Sequence, residues 1–292
     1  IPTDARAQWQ AKWIWDTETI AEENVWMCFN KKVTLNEIPE ELVAHISADS
    51  KYWLYINGEN VVFEGGVKRG PGKNGGYYDS VDIAPYLKEG ENAICALVWY
   101  WDNETSYSYN GSGQGGFLFE AAGEDISIVS DKSWKVKRHS AYVDSALYPP
   151  NYRLPEYSIY YDAGKDMGNW TDAAFDSSSW ENATEYADAG EGAYGKLYPR
   201  GIPFLKDYGL KDYENSKDYE NYTVKKAFGE KITVDIPYNA QLTPYLKVIA
   251  PAGKKIRITT ENTLIGAVSN TYITKEGEQE FEALGWFNGE HI

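Results

Sequence analysis

Residues 54–62 read LYINGENVV: two short β-like runs separated by Asn57 and Gly58. Both turn residues tolerate the positive φ that a type I′ turn requires, so the stretch predicts a hairpin. The same grammar continues on either side. VWMCFNKKVTL, ELVAHISA, KYWLYI, ENVVFEG, NAICALVWYW, GGFLFEAA, DISIVS and SWKVKRH are short runs rich in β-branched and aromatic residues, bounded by Gly, Asn, Asp or Pro. This succession predicts an all-β antiparallel sandwich. IAPYLKEGEN interrupts it, but residues 85–88 are too short a run for a helix and the segment reads as a connector. Alternation along half-buried strands assigns Phe29, Val33, Leu54, Ile56, Leu97 and Phe117 to inner faces.

LYPRGIPFL, residues 197–205, breaks the pattern with two prolines and a glycine. It marks an expected boundary between a first domain, residues 1–200, and a second, residues 201–292. Beyond it ITVDIP, PYLKVIA, KKIRITTEN, NTYITK and EFEALGWF again read as strands, with a tight turn at PAGKK. The chain closes on GWFNGEHI, where Asn288 and Gly289 read as a turn opening a further strand, so the second domain reads as incomplete. KDYEN occurs twice, starting at Lys211 and Lys217. Its polar and aromatic composition reads as a solvated surface insertion, and a spacing of six residues is too short for a solenoid repeat.

Length and composition set the outer limits. The 292 residues suit about two domains, and 42% hydrophobic content is enough for packed cores. A net charge of −16 repels a phosphate backbone and sets nucleic acid aside. No apolar run approaches the roughly 18 residues of a membrane span. Residues 1–11 are too polar for a signal-peptide core. The segment reads as soluble and mature, any signal having been removed, and a secreted, periplasmic or cell-surface location is expected. Cys28 and Cys95 each sit in an apolar strand-like run, where a free thiol behaves as a small buried hydrophobe; bridging them requires neighbouring strands. The three histidines, His45, His139 and His291, are scattered and read as ordinary strand or loop residues.

The 24 Tyr and 11 Trp exceed what two cores need, and many lie in Gly-, Asn- and Ser-rich stretches. Two such excursions stand out, residues 65–78 after the hairpin and WDNETSYSYNGSGQGG, residues 101–116. Sugars bind where an aromatic wall meets a few placed polar atoms. Trp101, Tyr107 and Tyr109 are candidates for the wall, Arg69, Asp102 and Asn103 for the polar atoms, and Tyr77 and Tyr78 for the facing side. The other reading of these aromatics is that they pack the loops onto the sandwich or meet a neighbouring domain. Asp102, Asn103 and Glu104 offer consecutive oxygen-bearing side chains, the donor type a calcium ion takes, although no EF-hand pattern is present.

The ordered set KWIW, SADSKYWLYINGENVV, RGPGKNGGYYDSVDIAPYLKEGENAICALVW and FDSSSWENA, residues 12–183, resembles the N-terminal β-sandwich of bacterial α-L-rhamnosidases. YPRGIPFL, VIAPAGKKIRITTEN, NTYIT and FEALGWFNGEHI resemble that family's link and next β domain. The resemblance implies a jelly-roll-like, galactose-binding-like sandwich followed by a second β-sandwich. It also implies, as partner, a C-terminal catalytic α/α barrel that follows these β domains in the same polypeptide. A general acid and a general base act from that barrel, and no run of paired amphipathic helices is present here to carry them. No catalytic residue is therefore assigned, and the chain by itself is expected not to hydrolyse rhamnosides. Three functions remain open: an accessory region that binds rhamnose-containing glycans, structural domains that support the barrel and shape its entrance, and a free-standing lectin-like module.

Overall fold

The computed structural model describes residues 5–6, 8–66, 75–101, 111–143, 156–226, 228–261 and 269–292. Its strands are β1 (Lys12–Trp15), β2 (Val25–Leu35), β3 (Val43–Asp49), β4 (Lys51–Ile56), β5 (Glu59–Gly65), β6 (Gly75–Asp82), β7 (Gly90–Tyr100), β8 (Gly116–Ala122), β9 (Ser127–Val129) and β10 (Lys135–Arg138). There follow β11 (Ile159–Asp162), β12 (Glu181–Asn182), β13 (Thr184–Asp188), β14 (Lys196–Pro199), β15 (Asp235–Leu242), β16 (Tyr245–Ala250), β17 (Lys255–Ile258), β18 (Asn270–Ile273), β19 (Gly277–Glu282) and β20 (Phe287–His291). Among the described residues the helical turns are all short 3₁₀ segments, one of them the expected connector at Ala84–Tyr86.

The chain divides into two compact units. Unit 1 takes Ile1–His139, Arg153–Pro155 and Met167–Lys206, and unit 2 takes Ser140–Tyr152, Glu156–Asp166 and Asp207–Ile292. A linear division at residue 200 does not describe this partition. Ile159–Asp162 pairs in parallel with Asn270–Ile273, which places a segment from mid-sequence in the sheet of the second unit.

Unit 1 is a sandwich of a seven-stranded sheet, ordered β13-β1-β8-β3-β6-β14 with β9 against β8, and a six-stranded sheet, ordered β12-β10-β2-β7-β4-β5. Its pairings are antiparallel except for β14, which joins β6 in parallel. Ile14, Ile46, Phe117 and Phe119 from one sheet meet Met27, Phe29, Leu54, Ile56, Ala96 and Val98 from the other in a single buried core. Phe117 is central to it, with its ring 4.9 Å from Phe29 and 5.6 Å from Trp134.

The hairpin forms as read. Asn57 and Gly58 take φ of 53° and 85° between β4 and β5, and the Asn57 side chain bonds Tyr86 O, Asn92 Oδ1 and Ala93 N. Of the expected inner-face residues, Phe29, Leu54, Ile56 and Phe117 lie in the core, with Val33 packed at its margin. Leu97 is a correction. It pairs with Cys28 and Trp53 on the opposite face, while its neighbours Ala96 and Val98 point into the core. The two cysteines do lie on neighbouring strands, yet both are free. The register sets Cys28 opposite Leu97 and Cys95 opposite Asn30.

Unit 2 contains the sheet β11-β18-β17 and the ladders β15-β20 and β16-β19. Tyr272 stacks on Tyr161 and on Phe281, with centroids 6.0 and 4.6 Å apart, and Tyr161 is tilted against Phe281 at 5.1 Å. Asn288 and Gly289 lie inside β20, paired with Gln241 and Ala240, and do not form a turn. An Asn-Gly pair makes a hairpin only when a strand on each side can fold back on the other. The first KDYEN copy is docked rather than free: Asn215 donates to Thr233 O and accepts from Asp235 N, and Tyr213 donates to Tyr245 O.

Candidate functional site

Both excursions singled out in the sequence begin and end at the same end of the unit 1 sandwich. One leaves β5 after Gly65 and enters β6 at Gly75; the other leaves β7 after Tyr100 and enters β8 at Gly116. Their roots are fixed by buried carboxylates. Asp49, at the end of β3, accepts from Ser112 N at 2.7 Å and from Ser50 Oγ at 3.2 Å. Ser50 Oγ in turn accepts from Trp101 N at 3.0 Å, so both ends of the second excursion meet one corner. Asp79, in β6, accepts at Oδ2 from Gly66 N and from Tyr52 Oη, each at 2.8 Å. Its Oδ1 takes Arg200 Nη1 at 3.0 Å. Burial, and then the charge of Asp79, push the Tyr52 hydroxyl well above its ordinary range, so it stays a neutral donor. Gly65 is required here, because a Cβ at that position would collide with the Tyr52 ring.

A buried cation lies close by. Lys51 is 2% exposed, its ammonium 3.3 Å from Glu64 Oε1 and 5.3–5.5 Å from the ring centroids of Trp53, Trp99 and Trp101. Trp26 stacks on Trp99 at 4.2 Å and on Trp53 at 5.6 Å, extending the indole cluster across three strands. Cation–π attraction and the ion pair together offset the cost of removing this charge from water. The face that carries the cluster is opposite the sandwich core, as the register of Trp26, Trp99 and Lys51 requires.

Of the residues proposed from the sequence, Tyr77, Tyr78 and Trp101 are described; Arg69, Asp102, Asn103, Glu104, Tyr107 and Tyr109 lie outside the described residues. Trp101 is 3% exposed, edge-on to Trp99 at 5.8 Å. Tyr78 is 9% exposed and meets Trp9 and His45 edge-on at 5.2 and 5.3 Å. Tyr77 is the preceding residue of the regular strand β6 and points to the other face, so the pair does not line one wall. Asp49, Lys51, Glu64, Asp79 and Arg200 were not picked out from the sequence. A signal was there in ADSKYW, where three polar residues interrupt a β-like run, and in the isolated Asp of YYDS. Among the described residues no group of three His, Cys, Asp or Glu side chains is placed to hold a metal ion.

Three comparisons bear on this architecture. The family described as the alpha-L-rhamnosidase N-terminal domain matches residues 37–193. An alpha-L-rhamnosidase from Formosa agariphila is 25% identical over 255 residues, covering 81% of this chain and 24% of that protein. This chain thus spans about a quarter of the length of the curated relative it matches. Among solved structures, the GH78 family rhamnosidase of Bacillus sp. GL1 superposes with a TM-score of 0.79 at 15% identity, over 98% of this chain and 53% of that one. The alpha-L-rhamnosidase from Dictyoglumus thermophilum gives 0.68 at 24% identity, over 97% and 33%. The structural likenesses establish the shared β fold, and the family match, which spans more than half of the residues, establishes kinship: the chain belongs to the alpha-L-rhamnosidase N-terminal domain family.

Proposed function

We propose that this chain is the carbohydrate-recognising accessory region of an α-L-rhamnosidase-like glycoside hydrolase that acts on terminal rhamnosides of plant or bacterial glycans. Hydrolysis is assigned to a catalytic barrel elsewhere in the same polypeptide, and the protein to the outside of the cell, the periplasm or the cell surface. The observation that carries the reading is the convergence of the two excursions at one end of the sandwich, their roots held by buried Asp49 and Asp79. A recognition site needs its loops fixed before the ligand arrives, since ordering them afterwards subtracts from affinity. Those excursions carry the aromatic and polar residues that suit a sugar, among them Arg69, Asp102, Asn103, Tyr107 and Tyr109. Asp102, Asn103 and Glu104 have the oxygen donors a bridging calcium ion would use.

A specific observation supports a second reading. Trp101 and Tyr78 are buried in aromatic packing, which suits domains that brace the barrel and shape its entrance. Titration of L-rhamnose into parent and variant chains separates the two. Under the recognition reading, Asp102→Ala costs on the order of 1–3 kcal/mol of binding through lost charged acceptors, at an unchanged melting temperature. A chelator reproduces the loss if calcium bridges the sugar. Under the bracing reading, Trp101→Ala lowers the melting temperature and no variant alters a sugar titration.

A further inference from the structure

Asp79 is where three distant stretches of chain meet. Its side chain is fully buried and that of Arg200 is 9% exposed. While one Arg200 nitrogen bonds Asp79, Nε donates to Ile202 O at 3.0 Å and Nη2 to Pro203 O at 3.2 Å. The guanidinium lies 4.7 Å from the Phe204 ring centroid, and the Arg200 backbone N–H donates to Tyr78 O at 2.9 Å. These contacts fold residues 200–204 back against β6. The remaining Asp79 oxygen takes Gly66 N, the point where the chain leaves β5 for the first excursion. Only a planar fork of five donors can serve a carboxylate and two carbonyls at fixed angles; a lysine carries its charge at one point.

We propose that Arg200 is a positioning residue: by holding Asp79 it fixes where the chain leaves β5 at Gly66, and through that root it sets one side of the carbohydrate site. The second half rests on the recognition reading given above. The physical step is simple. Without the guanidinium, a buried carboxylate is left with neutral donors alone, which is costly, and it turns toward water and away from the Gly66 amide.

Hydrogen exchange of the whole 292-residue chain tests the first half, and L-rhamnose titration the second. In Arg200→Gln the Gly66 amide exchanges about tenfold faster than in the parent, while core-strand amides such as Met27 and Val98 stay within about twofold, and rhamnose affinity falls at least about fivefold. A merely structural role would accelerate all these amides together. If the glutamine variant does not fold, Arg200→Lys keeps a charge beside Asp79 and loses the fork to Ile202 O and Pro203 O, and it gives a smaller change of the same selective kind at Gly66. Gly66 exchange that equals the parent's, or rises only in step with the core, overturns the proposal. Selective exchange with unchanged rhamnose affinity overturns its second half. A parent chain that binds no rhamnose defeats the recognition reading separately, and Gly66 exchange then judges the anchor by itself.

Discussion

His45 is half-buried on β3, with Ser80 Oγ 2.9 Å from Nδ1 and Trp9 and Tyr78 edge-on to its ring. Burial first and the Arg6 charge second hold its pKa below the ordinary imidazole value, while Glu120 opposes them. Glu120 is itself occupied, accepting from Arg6 Nη2, Gln10 N and Ala11 N, and so holds those three residues against the sheet. A base with a depressed folded-state pKa binds fewer protons folded than unfolded in the interval between the two values, so stability falls as pH drops into that interval. Unfolding followed from pH 7 downward should show a loss beginning near pH 6.5, and His45→Gln should remove it. Phe117 tests the core at the same scale. It is 0% exposed, and Phe117→Ala should cost about 3–5 kcal/mol in denaturant unfolding. A cost below about 1 kcal/mol would place Phe117 outside a packed core.

Among the elements, the β4–β5 hairpin was legible because its turn chemistry is local. Asn57 and Gly58 need nothing beyond their own φ values to be recognised. Their setting was not legible, for the Asn57 side chain ties the turn to Tyr86, Asn92 and Ala93, well separated in sequence. Asn57→Ala removes those bonds and keeps a positive φ without a side chain that favours it, so we expect a loss of about 2–4 kcal/mol in denaturant unfolding. Asn57→Gly, which relieves the φ cost, should lose less. Leu97 shows where periodicity fails. From Ala93 to Tyr100 strand β7 is buried on both faces, so no polar alternation marks which side points inward. The buried pair Asp79–Arg200 was hidden for a different reason, since 121 residues of sequence separate the partners. Nothing local to YYDS or YPRG points from one to the other.

At the scale of the molecule, the sandwich of unit 1 was readable from its succession of short strands, and the order of the family-like segments located it within a longer class of protein. The parallel additions of β14 to β6 and of β11 to β18 were not readable, because each depends on a long-range return of the chain that leaves no periodic trace. The loop-bearing end was legible as composition, through its aromatic and glycine-rich excursions, while the buried carboxylates beneath it emerged only from the fold. Those carboxylates are the physical basis for reading this end as a recognition surface, since they hold the roots of the excursions at Gly66 and Ser112. Calorimetric titration of L-rhamnose into the purified 292-residue chain, with calcium present and again with chelator, tests that reading most directly. Saturable heat with a dissociation constant at or below the millimolar range is expected, and the absence of saturable heat at millimolar sugar in both conditions would contradict a recognition role.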